Sequence, residues 1–437
     1  MRAFTMLSLV AVLFLSACGS EEAAVSVSAG GDATLIKLQV EGMACGVMCP
    51  PKIKEDLMTV KGVEDVNVDS RPAPPRSKPA GTSIRPSWSS LFENSSQPPF
   101  RTEPARVLNR EPFTVLSVRA VFLACLLQQV ASAEDVAQAR IESPGLRAVV
   151  ADNAAYGKDH RKGYSGLSEL YHGSSKRTLF VPAYAGLNYE HIFSGDSTSY
   201  GWNIFEPRIA PIRLRRLGEK KVELFQERTA NWPLQGRLSY ELIGEDAVEM
   251  RASFRPLEDA WKKHGYIGVF FASYIHAPED MAIHFIGRDR PGRGKAAPRW
   301  ITHLPKSHGD RACHRPAGSS WDPPLDPGFN IALVEGLSEY EYLYPFYYGV
   351  SHGKVFIMMF RDVGKDCELR FAQSPSGGGK GNPAWDFVFF ARRYVLGKDV
   401  GFTARAVYRD FKGREDVIRA WEAWSGSKVV RPSKASG

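Results

Sequence analysis

The chain has 437 residues, and its 43% hydrophobic and 24% charged residues are the composition of a soluble globular protein with room for two or three domains. Its formal net charge is +8, but much of the excess of lysine and arginine lies in residues 71–133, a stretch without the hydrophobic pattern of a folded domain. The sequence shows no basic face studded with aromatic residues, so nucleic acid is not an expected partner. Beyond the N-terminal segment, no stretch is long and apolar enough to predict a transmembrane helix.

The first 17 residues have the architecture of an export signal peptide. Arg2 precedes an apolar run at residues 7–15, and the small residues Ser16 and Ala17 lead into Cys18. A cysteine at the first mature position resembles the lipobox of bacterial lipoproteins. The resemblance implies that Cys18 is lipidated, that a membrane is its partner, and that residues 18–33 tether the protein to the cell envelope. The alternative is an ordinary secretory signal and a secreted or periplasmic protein.

Residues 34–69 contain a close pair of cysteines between two predicted strands. The stretches 34–40 and 63–68 have strand-like patterns, the loop sequence GMAC ends at Cys45, and Cys49 follows just before a predicted helix. This order resembles the N-terminal half of the heavy-metal-associated domain of copper chaperones, and so implies a truncated ferredoxin-like βαβ fragment. By this resemblance the two cysteines bind Cu(I) or Zn(II), since thiolates are soft ligands. A disulfide between them and an unfolded remnant are the alternatives.

The next two stretches separate this segment from the rest of the chain. Residues 70–114 are rich in Pro, Ser and Arg and predict a disordered linker. Residues 115–133 then repeat an export-signal pattern, with Arg119, an apolar run at 120–127 and a small-x-small site that ends at Ala133. A buried helix would also fit that run. The chain is therefore either a true fusion across a linker or two reading units joined together.

Residues 134–425 predict a mainly β domain, a large antiparallel β-sandwich, followed by a tail at 426–437. Nine short alternating runs are separated by turn residues: 177–184, 221–226, 236–242, 247–254, 268–275, 354–361, 367–372, 385–394 and 401–408. Many short strands at such spacing are typical of sandwiches and barrels. Residues 410–424 predict a C-terminal helix with one apolar face. Cys313 and Cys367 predict either a disulfide or two separate buried thiols.

The order of these strands resembles the galactose-mutarotase-like supersandwich. The resemblance is carried by Trp232, by the paired strands containing YEL at 240–242 and VEMR at 248–251, by the strand 268–275, and by the closing YRDF at 408–411. That fold serves sugar epimerases, polysaccharide lyases, glycosidases and non-catalytic carbohydrate modules, so the resemblance implies a carbohydrate ligand. No catalytic motif of the family is matched. We therefore expect binding rather than catalysis, and expect any catalysis to be of the epimerase, lyase or hydrolase class.

Six residues are candidates for a carbohydrate site because acids, imidazoles and indoles are the groups that bind or transfer protons on sugars. They are Glu190, His191, Trp202, His276, Trp385 and Asp386. Each also has a plain structural interpretation, since tryptophans in β domains usually belong to the core and strand-end histidines usually lie at the surface.

Three functions remain open from the sequence. The first is an exported envelope protein whose β domain binds or processes carbohydrate. The second is a metal-binding lipoprotein that acts through its cysteine pair. The third is a structural or interaction domain without small-molecule chemistry.

Overall fold

A computed structural model describes residues 21–29, 36–43, 63–69, 135–173, 175–197, 204–291, 297–329 and 331–432. Several predictions fall on residues outside these ranges: the signal peptide, the lipid acceptor Cys18, the metal ligands Cys45 and Cys49, the linker 70–114, the signal-like segment 115–133, and Trp202. They stay predictions.

A three-stranded sheet forms from the N-terminal part of the chain. Its strands are β1 (Glu21–Ala29), β2 (Ile36–Met43) and β3 (Val63–Asp69), in the spatial order β2-β1-β3, with β1 and β3 antiparallel. The two strands predicted for the cysteine-bearing segment correspond to β2 and β3. The strand between them, β1, comes from the residues that the sequence predicts as a tether.

The rest of the described chain is built mostly of strands, because alternating apolar residues recur every few positions. These are β4 (Asp135–Val136), β5 (Gln138–Glu142), β6 (Leu146–Ala151), β7 (Gly166–His172), β8 (Asn188–Phe193), β9 (Arg213–Gly218), β10 (Lys221–Gln226), β11 (Leu234–Ile243), β12 (Ala247–Pro256), β13 (Ile267–Ala272), β14 (Ile283–Asp289), β15 (Arg299–His303), β16 (Cys313–Pro316), β17 (Leu337–Tyr342), β18 (Phe346–Ser351), β19 (Lys354–Arg361), β20 (Cys367–Ser374), β21 (Ala384–Ala391) and β22 (Val400–Asp410). The helices are α1 (Glu206–Ile209), α2 (Ala332–Glu335) and α3 (Arg414–Ser425).

Sixteen of these strands form one large sheet. Its order is β4-β9-β10-β11-β12-β22-β19-β18-β14-β17-β16-β20-β21-β13-β8, with β15 paired to β14 off this path. Its strand pairs are antiparallel except for β16 with β17, which run parallel. A separate three-stranded sheet has the order β5-β6-β7. The predicted fold class, mainly β with a large antiparallel sheet and a C-terminal helix, is confirmed.

The large sheet folds back so that one part of it packs face to face on another. Rings on β13 and β21 meet rings on β22 and β19: the centroids of Phe271 and Phe402 lie 5.7 Å apart, and those of Phe387 and Phe360 lie 4.8 Å apart. Close-packed aromatic pairs of this kind hold two sheet layers together. The result is a sandwich whose main core lies between the β8-β13-β21-β20 layer and the β12-β22-β19 layer.

A second, smaller core covers the outer side of the β8-β13-β21 layer. Ile204, Phe329 and Val334, which come from long connections, pack with Phe270 and Phe390 of the sheet. On the opposite layer, α3 buries an apolar stripe against β18, where the rings of Trp421 and Phe346 lie 5.5 Å apart. The layer that bears β8 is therefore covered by connections on its outer face, and these connections bring polar side chains over the sheet.

Most of the predicted strands are present, and the departures have local causes. The run at 177–184 is not a strand; it forms only isolated bridges, at Phe180 with Ile275 and at Ala183 with His160. Pro182 within that run has no N–H to give to a ladder. Cys313 and Cys367 are both free, so the structure has separate thiols rather than a disulfide. Burial raises the pKa of each thiol to about 11.

Candidate functional site

A β-bulge in β8 determines which side chains reach the outer face of the sheet. His191 pairs with Phe270 and Tyr189 pairs with Phe271, so Glu190 between them has no partner on β13. An extra residue in one strand breaks the alternation of side chains and re-aims them. Tyr189 points into the main core, whereas Glu190 and His191, although adjacent, both lie on the outer side.

The Glu190 carboxylate is surrounded by four polar side chains. The Tyr274 hydroxyl donates to Oε2 at 2.6 Å, and the Asn188 amide donates to the same oxygen at 3.2 Å. Nε2 of His191 lies 3.3 Å from Oε1, and Nη1 of Arg208 lies 3.6 Å from it. We call Glu190, His191, Arg208, Tyr274 and Asn188 the Glu190 cluster.

These neighbours keep Glu190 ionised although it is buried. Burial by itself raises the pKa of the carboxyl group, but the close imidazole of His191, the charge of Arg208 and the Tyr274 hydroxyl outweigh it and lower the pKa to about 2. The carboxylate is therefore a permanent negative charge at ordinary pH. The phenol of Tyr274 has its pKa raised, first by burial and then by Glu190, so it stays a hydrogen-bond donor.

His191 is held by rings rather than by hydrogen bonds. Its imidazole stacks on Phe270 at 5.1 Å and meets Phe205 edge-on at 4.4 Å. Among the described residues, neither ring nitrogen has a well-aligned hydrogen-bond partner, because the approach of Nε2 to Glu190 is close but misdirected. Buried polar atoms normally find partners. Two unpaired nitrogens beside an ionised carboxylate indicate a place where a further polar group can bind.

Arg208 reaches the cluster from the short helix α1. Its guanidinium lies 4.4 Å from the Tyr164 ring centre, and its Nε donates to the Gly163 carbonyl at 2.9 Å. The helix α1 is itself anchored, because the Glu206 carboxylate accepts a hydrogen bond from the backbone N–H of Asn231 at 3.1 Å. A fixed cation thus lies 3.6 Å from the Glu190 carboxylate, beside the Tyr164 ring.

A partly open rim borders the cluster. The Tyr184 ring, half-buried, lies 5.2 Å from that of Tyr274, and Phe205, also half-buried, packs on His191. His308 is partly exposed, and its Nδ1 lies 3.1 Å from the Ser374 hydroxyl. Burial of its imidazole lowers its pKa, against the opposing effect of the Glu190 charge. These three side chains border the Glu190 cluster and are at least partly exposed to solvent.

Asp386 lies on the same outer face of the layer as Glu190, but its carboxyl group is neutral where that of Glu190 is ionised. It is 1% exposed, and its Oδ1 accepts the Ser273 amide N–H at 2.9 Å. Burial raises its pKa well above the usual range, against the opposing effect of that single bond, and the nearby Glu190 charge adds to the rise. The structure therefore places this predicted candidate close to Glu190 but makes it a neutral, enclosed acid.

The other predicted residues lie elsewhere. Trp385 is 0% exposed in the main core, where its Nε1 donates to the Met281 carbonyl at 3.0 Å and its ring packs against Gly349, so no indole face is free for a sugar. His276 is not in the Glu190 cluster; it lines a different cleft. Trp202 falls outside the described residues.

Sequence reasoning found the pair Glu190 and His191 but missed Asn188, Arg208 and Tyr274 of the cluster and His308 beside it. No motif marks these four residues, and Arg208, Tyr274 and His308 lie on separate elements that meet only in the folded chain. The one available signal was the stretch that contains Glu206 and Arg208, where two charged residues flank a proline just after a glycine- and aromatic-rich loop.

Within the described ranges, no three His, Cys, Asp or Glu side chains come together in a way that could hold a metal ion. Likewise, none of the described helices has the length and apolar character needed to span a membrane.

Comparison with solved structures gives distant likenesses. No protein-family model and no curated protein matches the chain. Among solved structures, it is similar to a putative aldose 1-epimerase from Escherichia coli K12, with 9% identity and a TM-score of 0.33 over 63% of this chain and 100% of that one. It is also similar to a heparan sulfate lyase HepC mutant from Pedobacter heparinus, with 9% identity and a TM-score of 0.31. That match covers 62% of this chain and 34% of the lyase, about a third of its length. Likenesses this slight do not assign an activity, so function has to come from the geometry of the site.

Proposed function

We propose that the region 135–432 binds carbohydrate at the Glu190 cluster, as the β domain of an exported envelope protein. The observation that carries the proposal is the ionised Glu190 carboxylate, held by a phenol, an imidazole and a guanidinium beneath a partly exposed aromatic rim.

The chemistry of the cluster suits a polyhydroxylated ring. Each sugar hydroxyl both donates and accepts hydrogen bonds, so a sugar site needs charged acceptors and fixed donors a few ångströms apart. Glu190 supplies the acceptor, and His191 and Arg208 supply nitrogens within 3.3 Å and 3.6 Å of it. Tyr184 and Phe205 supply apolar ring surface at the rim, which suits the C–H face of a pyranose.

Acid–base catalysis is the second candidate, favoured by the close approach of His191 to Glu190. Proton transfer is most efficient when the pKa of the acting group lies near the working pH. A Glu190 carboxyl group with its pKa lowered to about 2 is a weak base, but it is a strong charged acceptor for hydroxyl groups. The same geometry therefore supports binding better than catalysis.

The test is Glu190→Gln in the full-length chain, assayed on a panel of neutral and acidic oligosaccharides by calorimetry. Glutamine keeps an acceptor for Tyr274 but removes the charge. We expect at least about a tenfold loss of affinity, since a hydrogen bond to a charged group contributes about 1.5–3 kcal/mol. Glu219→Gln, at an exposed turn, is the matched control. A wild-type chain that binds no glycan of the panel would contradict the proposal.

Catalysis has a separate readout. Release of new reducing ends, formation of an unsaturated sugar or a change of optical rotation would show hydrolase, lyase or epimerase activity respectively. If such an activity is found, its loss in Glu190→Gln with folding retained would place the reaction at this cluster.

For the N-terminal part we propose lipidation at Cys18 and soft-metal binding at Cys45 and Cys49, supported by the sequence patterns alone. Mass spectrometry of the envelope fraction of the native host tests the first, and an acylated Cys18 peptide is expected. A Cu(I) titration of the full-length chain tests the second. We expect stoichiometric binding that Cys45→Ser removes and Cys367→Ser leaves unchanged. An unaltered titration in Cys45→Ser would contradict metal binding there.

A further inference from the structure

A cleft beside β7 is lined by a set of residues distinct from the Glu190 cluster. Its volume is about 450 Å³, and its wall is formed by residues of β7, the following turn, the 158–159 turn, the 182–183 connection and His276. Binding sites for small molecules commonly have volumes of a few hundred cubic ångströms. The cleft therefore has the size of a small-molecule site.

The side chains of the cleft wall are almost all polar. Of its eleven lining residues, only Pro182 and Ala183 have apolar side chains, and the others carry hydroxyl, amine, guanidinium, carboxyl or imidazole groups. An apolar ligand would leave these groups without partners, which costs free energy. A ligand with many hydroxyl groups would satisfy them.

The charges of the wall favour an anion. Lys158, Lys176 and Arg177 face the cleft together with Asp159 and Glu169. Lys158 and Lys176 are exposed, and neither has an ion-pair partner among the residues that the structure describes. Two cations left unpaired at the rim of one cleft are suited to a negatively charged group brought from outside.

Three other charged groups line the cleft: Asp159, which offsets one of the two lysine charges, and Arg177 and Glu169, which are already engaged. One N–H of Arg177 donates to the His276 carbonyl at 3.1 Å. Glu169 lies beside the Tyr171 phenol, whose pKa is raised by burial and then by Glu169, while the Arg147 guanidinium lies 4.1 Å over the Tyr171 ring. Arg147 thus adds a further cation behind the wall and offsets the Glu169 charge.

His276 adds an uncharged polar group to the same wall. Burial lowers its pKa, and the charges of Arg177 and His352 lower it further, so its imidazole is neutral at ordinary pH. Its Nδ1 is buried and has no hydrogen-bond partner among the described residues. A ligand hydroxyl is the kind of group that would pair with it.

We propose that this cleft binds a small anionic sugar, one hexose-sized ring that bears a carboxylate or a phosphate group, with Lys158 and Lys176 contacting the anionic group. The site is separate from the Glu190 cluster and does not depend on it.

The experiment measures binding of four probes to the full-length chain by calorimetry: glucuronate, glucose 6-phosphate, glucose and inorganic phosphate. We expect the two charged sugars to bind at least about tenfold tighter than glucose or inorganic phosphate. The double variant Lys158→Ala/Lys176→Ala is expected to lose at least that factor, and added salt should weaken binding, because the contacting lysines are exposed. A preference between the two charged sugars would identify the anionic group. Lys220→Ala and Lys262→Ala, at exposed turns, are matched controls.

Three results would overturn the proposal: no saturable binding of either charged sugar, equal affinity in the double lysine variant, or inorganic phosphate binding as tightly as the sugars. Glu190→Gln separates the two sites. If it abolishes binding of the charged sugars while the lysine variant retains it, the ligand sits at the Glu190 cluster, and the cleft proposal fails while the proposed function stands. Binding lost only in the lysine variant supports the cleft.

Discussion

The two faces of the β8-β13-β21 layer differ in character, although neighbouring residues of the same strands form them. The inner face carries Tyr189, Phe271 and Phe387, whose rings pack on one another and on the opposing layer. The outer face carries Glu190 and Asp386, buried under connections. The inner face is closed and mostly aromatic, as expected of a core, although the buried Tyr189 hydroxyl on it has no hydrogen-bond partner among the described residues. The outer face holds two carboxyl groups and the unpaired imidazole of His191, and a ligand could complete that set of hydrogen bonds.

The outer face itself contains two carboxyl groups in opposite states. Glu190 has a hydroxyl, an imidazole and a guanidinium around it and is ionised, whereas Asp386 receives one amide N–H and is neutral. The same layer therefore shows that burial alone does not set the charge of a carboxyl group; the number and kind of its partners do.

The largest effect on stability is expected from a substitution on the inner face. Phe387→Ala removes a fully buried ring that touches Phe271, Phe360 and Phe402, and we expect it to lower the free energy of unfolding by about 3–5 kcal/mol. Denaturant titration measures it, and Phe387→Leu, which leaves a smaller cavity, should cost clearly less. Equal losses in the two variants would mean that ring packing does not stabilise this face.

Because Glu190 is ionised in the folded protein, we expect the free energy of unfolding to depend on pH in a specific way. Its folded pKa of about 2 lies below the ordinary 4.5, so its stabilising contribution is present above pH 4.5 and is lost as the pH falls through about 2. The shift corresponds to about 3 kcal/mol. In Glu190→Gln this part of the pH dependence should vanish, so the difference in unfolding free energy between wild type and variant should shrink as the pH is lowered. A difference that is constant from pH 6 to pH 2.5 would contradict the assigned state.

For Asp386 we expect the contribution to stability to change with pH in the opposite direction. Because its folded pKa is raised, its contribution is fully present below pH 3.8 and is lost as the pH rises toward the folded pKa. Asp386→Asn keeps an acceptor for the Ser273 N–H and never ionises. We therefore expect the variant to gain stability relative to wild type as the pH rises from 3.5 to 8 in thermal unfolding. A relative loss over that range would show that Asp386 is stabilised as an anion.

The smallest effect on stability is expected at His191. Phenylalanine fits between the Phe205 and Phe270 rings and removes two nitrogens that lack aligned partners, so His191→Phe should change the free energy of unfolding at pH 7 by less than about 1 kcal/mol. The same variant should lose glycan affinity. A variant that keeps full affinity would show that His191 only packs.

Much of the large domain could be predicted from its alternation. The predicted runs at 221–226 and 354–361 coincide with β10 and β19, and the C-terminal helix is present as α3. Some strands that the sequence did not reveal, such as β8, are buried on both faces and so do not alternate, whereas the short strand β5 alternates and was also missed. Within the predicted tail, Val429 is buried in the core cluster that also contains the apolar residues of α3.

The amino-acid sequence by itself determined the β class, many of the strands, and the presence of an acid and an imidazole side by side at Glu190 and His191. Only the tertiary structure decided that both point to the same face, because a bulge depends on the register of β8 against β13, which no local pattern encodes. It also decided that Trp385 belongs to the core and that Arg208 and Tyr274 complete the cluster. Those contacts join residues 18 to 84 positions apart, and only the packing of separate connections over the sheet brings both side chains within 3.6 Å of the Glu190 carboxylate.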